Sequence, residues 1–171
     1  IKNLIINNVS KKKKNTIITA ENVVAKISIR NLLVKEKQVI KKIQLNNFEI
    51  NFNFKNFDSF RNVFSRKNDL IPISFIKGQI MFYDGADYVA AFSDVLLNLK
   101  ITQDSAETLL KGKFLTDDIY INLNSKKIDD KVSTDLIFKM SKLNILTKAN
   151  IINLINNKNS LKGNVLIKQD K

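Results

Sequence analysis

Apolar residues recur at every second position along most of this chain. Val23, Ala25, Ile27 and Ile29 alternate with Val24, Lys26, Ser28 and Arg30, and a period of two marks a strand that buries one face. Ile43 and Leu45 share one parity, whereas Phe48, Ile50, Phe52 and Phe54 share the other, so the phase flips at Asn46-Asn47. A slip of one residue turns every later side chain over, and a bulge or tight turn is expected there. Ile76, Gly78, Ile80 and Phe82 predict a further strand, as do Val95, Leu97, Leu99 and Ile101, and then Ile119, Ile121 and Leu123. Val132, Thr134, Leu136, Phe138 and Met140 share one face of a later strand, and Leu161, Val165 and Ile167 close the series. Asp84-Gly85, Gln103-Asp104-Ser105, Asp117-Asp118, Asp129-Asp130 and the stretch Asn156 to Ser160 are turn signals between them. Strands joined by short polar turns argue a meandering antiparallel sheet.

Two stretches depart from period two. Phe57, Phe60 and Phe64 fall at i, i+3 and i+7, with Asn56 or Asp58 placed to cap, and predict a short amphipathic helix over 57–66. Ile151, Ile152, Leu154 and Ile155 predict a second helix over 148–157, ended by Asn156-Asn157. Both apolar stripes read as core before they read as a ligand box. A weak repeat also runs through the chain: Ile76-Lys77-Gly78-Gln79-Ile80, Leu110-Lys111-Gly112-Lys113-Phe114 and Leu161-Lys162-Gly163-Asn164-Val165. Each glycine shares the parity of its apolar neighbours. Glycine there permits sharp sheet curvature or the close approach of a neighbouring group, a backbone role that outweighs a ligand role.

Composition narrows the chemistry. The 171 residues are one domain's length, and 44% hydrophobic with 26% charged is enough for a packed structure. Histidine and cysteine are both absent, which excludes Ser-His-Asp and Cys-His machinery, ordinary zinc sites and disulfides. With 4 Gly and 1 Pro there is no phosphate-cradling glycine loop. Asp117-Asp118 and Asp129-Asp130 fall in predicted turns, where local backbone hydrogen bonds explain them. Asp84, Asp87 and Asp94 gather around one loop and offer oxygens suited to Ca²⁺, but their spacing matches no EF-hand and a solvated loop is the stronger reading. The expectation is no enzyme, no metal and no cofactor.

The formal charge of +13 raises nucleic acid or an anionic membrane as partners. Of the 29 basic residues, however, only Arg30, Arg61 and Arg66 are arginine, the residue favoured for bidentate phosphate or guanine recognition. The joint excess of Lys, Asn and Ile fits AAA, AAT and ATT codon drift, which supplies lysine at any tolerant exposed position. No nucleic-acid partner is expected. The block Lys11-Lys12-Lys13-Lys14 reads as a solvated loop tip first and a membrane contact second.

Several segments, taken together, resemble a known family. The run from Thr16 to Leu33 (Thr-Ile-Ile-Thr-Ala-Glu-Asn-Val-Val-Ala-Lys-Ile-Ser-Ile-Arg-Asn-Leu-Leu) and the run from Val39 to Ile50 look like the amino-terminal part of AsmA-like envelope proteins. Ile76 to Asp84 resembles the following strand, which in the family ends in an aromatic residue and Asp, and Phe92-Ser93-Asp94-Val95 to Leu99 resembles the next. Leu110-Lys111-Gly112-Lys113-Phe114 is similar to the family's recurrent leucine-x-glycine-x-apolar strand. The likeness covers most of the chain as a pattern of apolar spacing with few fixed residues. It departs at Asn47-Phe48-Glu49, where many relatives have Asn-Pro-Glu.

The resemblance implies a periplasm-facing module of a Gram-negative-type envelope. The inner membrane would be reached through an anchor outside this fragment, in line with a chain that starts at Ile1 and not Met. It implies phospholipid, or another acyl-chain lipid, as partner, and a part in lipid transport between inner and outer membrane and in outer-membrane biogenesis. The fold expected is mainly β: a curved antiparallel meandering sheet, forming a groove or partial barrel, with one or two short helices. Residues 1–171 are expected to form one β-rich domain, a fragment of a longer repeat-like β-groove protein. Candidate groove residues are Ile27, Ile29, Phe48, Ile50, Phe52, Ile80, Phe82, Val95, Leu97, Leu99, Ile121, Leu136 and Phe138, with lysines along the rim. The alternative is a structural or interaction scaffold of the envelope, in which the same residues are ordinary core and no lipid is carried.

Overall fold

The computed structural model describes residues 1–10, 13–27, 40–56, 71–154 and 157–169. They form one open sheet of ten strands whose spatial order is their chain order. The strands are β1 (Lys2–Ser10), β2 (Lys13–Ile27), β3 (Ile40–Asn53), β4 (Ile73–Asp84), β5 (Asp87–Ile101), β6 (Ser105–Phe114), β7 (Asp117–Ile128), β8 (Lys131–Met140), β9 (Ile145–Leu154) and β10 (Asn157–Gln169). All neighbours are antiparallel except β3 and β4, which run parallel. The sheet is thus mainly antiparallel, as the alternation and short turns predict, and this pair is the one exception among the described strands. The chain leaves β3 through a single 3-10 turn, Phe54–Asn56, and must cross back before β4 begins, because a parallel neighbour cannot be reached through a hairpin.

The helix expected over 148–157 is not formed. Ile145–Leu154 is strand β9, paired on both sides. Ala149 and Ile151 point to the apolar face, and Ile152 and Leu154 to the other. A strand that carries apolar residues on both faces imitates a helical stripe over such a short run. Asn157 to Ser160, expected as turn, belong to β10. The helix expected over 57–66 lies outside the described residues. Lys13 and Lys14 already belong to β2.

Registers align the apolar parities into rows that run across the strands. One row is Val23, Leu45, Phe75, Leu97, Leu110, Ile121, Phe138, Thr147 and Ile167, one residue from each of β2 to β10. The next is Ala25, Ile43, Ile73, Leu99, Thr108, Leu123, Leu136, Ala149 and Val165. Higher up, Ile6, Ile18, Ile50, Ile80, Phe92 and Phe114 make a third. In this third row the parity has changed in β2 to β5, yet the apolar side chains still share one face and one core cluster.

The change occurs at one level across neighbouring strands. Asn3 of β1, Asn47 of β3, Lys77 of β4 and Asp94 of β5 each have φ between 49° and 56°, inside strands, while β2 changes phase between Ala20 and Val23, level with Asn47, without a positive φ. Asn47 stands level with Lys77, since Asn46 pairs with Ile76 and Glu49 with Gln79. Lys77 is an extra residue in β4, and the register recovers before Phe92. Asp94 and Val95 together oppose Gly112, between the pairs Ser93–Lys113 and Leu96–Lys111. Each left-handed residue rotates its strand so that the next apolar side chain keeps to the same face, and bulges of this kind add local bend and twist. The flip at Asn46-Asn47 is therefore one point of a transverse crease. The crease also corrects the reading of β4. Ile76 lies on the face opposite Ile80, and Phe75 enters the core in its place, 1% exposed.

Along the crease, Gly78 lets Phe48 of β3 lie against β4: a Cβ there would fall on the Phe48 carbonyl oxygen and ring. Phe48 in turn packs edge-on against Phe75, with ring centroids 5.1 Å apart. Two adjacent substitutions should accordingly act in opposite directions. Gly78→Ala should lower unfolding stability by about 1–3 kcal/mol through overpacking. Lys77→Gly should raise it, by up to about 1 kcal/mol, because glycine adopts positive φ without the strain of a Cβ. Urea denaturation of the two variants beside the exposed control Lys126→Ala checks this; a destabilised Lys77→Gly would show that the crease costs the backbone nothing.

Candidate functional site

The apolar face is closed over its first half and open over its second. Phe48, Ile50, Ile80, Val95 and Leu97 are buried, Val95 completely. These five candidates form the packed core together with Ile18, Phe75 and Leu110. Phe52, Phe82, Leu99, Ile121, Leu136 and Phe138 are half-buried on the same face. Ile27, at the end of β2, is exposed. Ile29 lies outside the described residues.

Cover is lost at the β10 edge. Ala149 of β9 is still buried, but Val165 and Ile167 of β10, at the ends of the two long rows, are 64% and 68% exposed. Thus Ile121, Leu123, Leu136, Phe138, Val165 and Ile167 bring half-buried and exposed apolar surface together on β7 to β10. The strip is limited at one end by a hydroxyl pair, Ser125 and Thr134 at 2.9 Å. At the other end of β7 stands Asp117, buried beside Phe114. Its carboxylate accepts hydrogen bonds from the backbone N–H groups of Lys142 (2.7 Å) and Leu143 (3.2 Å) in the β8–β9 turn. Asp117 therefore serves a neighbouring hairpin and not its own turn. Val165 and Ile167 were legible only as strand positions in the sequence, because their exposure depends on β10 being an edge.

Lysines do not form the rim of this strip. Lys111, Lys139, Lys148 and Lys168 alternate with inward residues and so lie on the opposite face. That second face also holds a groove of about 1130 Å³ along the crease, lined by Thr19, Glu21, Asn47, Glu49, Lys77, Gln79 and Asp94 among others. Amide donors occupy its carboxylates: Asn47 Nδ2 donates to Glu21 Oε2 (2.6 Å), Gln79 Nε2 to Glu49 Oε2 (2.9 Å) and Asn51 Nδ2 to Glu49 Oε1 (3.2 Å). Lys113 Nζ donates to Asp94 Oδ2 at 2.8 Å. Asp84 pairs with Lys55 at 3.2 Å. No three acidic side chains converge among the described residues. Sequence reasoning missed this groove because Lys77 carries no turn-forming signal and Asp94 reads with the loop of Asp84 and Asp87, whereas it lies inside β5.

Two outcomes follow from these contacts. Asp117→Ala should cost about 2 kcal/mol, the scale of hydrogen bonds to an ionised group, and should speed amide exchange at Lys142 and Leu143. An unchanged exchange rate would remove the clamp. The hydrogen bond to Asp94, and then its charge, raise the pKa of Lys113 above the ordinary lysine value. Because the folded pKa is the higher one, the small stabilisation from this exposed pair is complete below the ordinary value and fades as pH rises through the raised one. Asp94→Asn should return the Lys113 titration, followed by NMR, towards ordinary lysine.

No protein-family model, curated protein or solved structure matches this chain.

Proposed function

We propose that this chain is a lipid-handling module of a Gram-negative-type cell envelope, akin to AsmA-like proteins. In this reading the open apolar strip on β7 to β10 accommodates acyl chains of phospholipid in transit between inner and outer membrane. The module faces the periplasm, is held to the inner membrane by an anchor elsewhere in its parent, and contributes to outer-membrane biogenesis. It performs no catalytic step and needs no cofactor. The observation that carries the reading is the change of burial along one row: it is packed at Leu97 and Leu110, half-buried at Ile121 and Phe138, and ends at Ile167, which like Val165 beside it is mostly exposed. A one-sided sheet must cover its apolar face with another layer or a ligand, and each Å² withdrawn from water there contributes about 25 cal/mol.

The closed first half favours a second reading, an envelope scaffold whose sheet merely packs on itself. Photocrosslinking separates the two. A photoreactive residue at Phe138 or Val165 should capture phospholipid, and one at Asn124, on the opposite face, should not. Capture at neither face, or equally at both, would leave the scaffold. Leu136→Glu, at a half-buried position, should abolish capture while the chain stays folded. Leu97→Glu should instead cost several kcal/mol of stability, because it buries an unpaired charge.

A further inference from the structure

The face opposite the apolar one carries a second pattern. In one cross-strand row, Leu96, Lys111, Tyr120, Lys139, Leu146 and Lys168 follow one another from β5 to β10. Lysine falls on every second strand, and an apolar or aromatic residue on the strands between. In the adjacent row, Ile137, Lys148 and Leu166 cross β8, β9 and β10 in the reverse order of character. Over these three strands the side chains therefore form a checkerboard in which each lysine is bordered by aliphatic groups. Strands are about 4.8 Å apart, so lysines of one row stand about 10 Å from one another. Lys139 Nζ lies 5.7 Å from the centre of the Tyr120 ring.

Lys111 lies near Asp94 and Asp118, whereas Lys139, Lys148 and Lys168 on β8 to β10 have no ion-pair partner among the described residues. Among the described residues, ion pairs on this face join Lys100 to Glu107 and Lys113 to Asp94, and none involves Lys111, Lys139, Lys148 or Lys168. The nearby Asp135 accepts a hydrogen bond from Asn150. A face selected for solvation alone would have no need of aliphatic groups among its lysines, yet Leu166 is 50% exposed there. A nucleic acid would meet the lysines and leave Ile137, Leu146 and Leu166 in water. An anionic bilayer meets both: its headgroups take the ammonium groups, and its interfacial region takes the aliphatic side chains and the tyrosine.

We propose that the lysine–aliphatic face of β6 to β10 is a docking surface for an anionic lipid bilayer. The surface is separate from the acyl-chain strip, and docking does not depend on it.

Cosedimentation of the full chain with vesicles tests this. Vesicles of phosphatidylcholine mixed with phosphatidylglycerol should bind it, and phosphatidylcholine alone should not; added salt should weaken the binding. Lys139→Gln, Lys148→Gln and Lys168→Gln should each lower partitioning about five-fold, the equivalent of about 1 kcal/mol per lysine near an anionic surface. Leu166→Ser should weaken binding without a change of charge. Equal binding to neutral vesicles would overturn the proposal, as would full binding by the folded triple lysine variant. Single-stranded DNA bound through the same lysines, with Leu166→Ser indistinguishable from the parent chain, would make the face a general polyanion site instead. Lipid capture at Phe138 or Val165 should survive all four substitutions, so a failure of the docking surface and a failure of the acyl-chain strip remain distinguishable.

Discussion

A one-layer sheet has to keep its apolar side chains on one face through every strand, and in this chain that requirement is met across a break in phase. A slip of one residue would send each later apolar group of a strand into water. Asn47, Lys77 and Asp94 absorb the slip at matching levels in β3, β4 and β5, each with a left-handed backbone. The slip is shared, so the neighbours remain in register with one another beyond it. Phe48 and Phe75, on opposite sides of the break, can then meet edge-on. Gly78 is the point where this contact leaves no room for a side chain.

The same crease shapes both faces. On the apolar side it joins two halves of opposite parity into one core, so that Ile50 and Ile80 above it and Leu45 and Val95 below it belong to one cluster. On the polar side it leaves a groove whose carboxylates are held by neighbouring amides. Strain at a few backbone positions is thereby offset by burial spread over many side chains, the usual economy of an irregular strand.

Beyond β6 the sheet is regular, and its pairings run without a shift through β7, β8 and most of β9. Its two faces there differ in chemistry. One continues the apolar rows with progressively less cover, and the other alternates lysine with aliphatic residues. The acyl-chain and bilayer proposals assign these two faces separate parts.

Period two in the sequence determined the β class, most strand positions and most of the apolar face, though not the exchange of Ile76 for Phe75 in β4. Val132 to Met140, Val95 to Ile101 and Ile119 to Leu123 all lie as their alternation requires. These features are local, since alternation is a property of a strand by itself. The crease was legible at Asn46-Asn47 alone. Nothing local distinguishes Lys77, and Asp94, of a type that tolerates positive φ, reads instead with the loop of Asp84 and Asp87. The parallel pairing of β3 with β4 is a contact between segments far apart in the chain, which alternation within either strand does not specify. β9 resembled a helix because apolar residues on both faces of a strand mimic a helical stripe when no partners are in view. Burial was likewise decided by tertiary structure. Val95 and Val165 are the same residue on the same face, yet one is enclosed among central strands while the other stands at an edge, where no further strand takes it out of water.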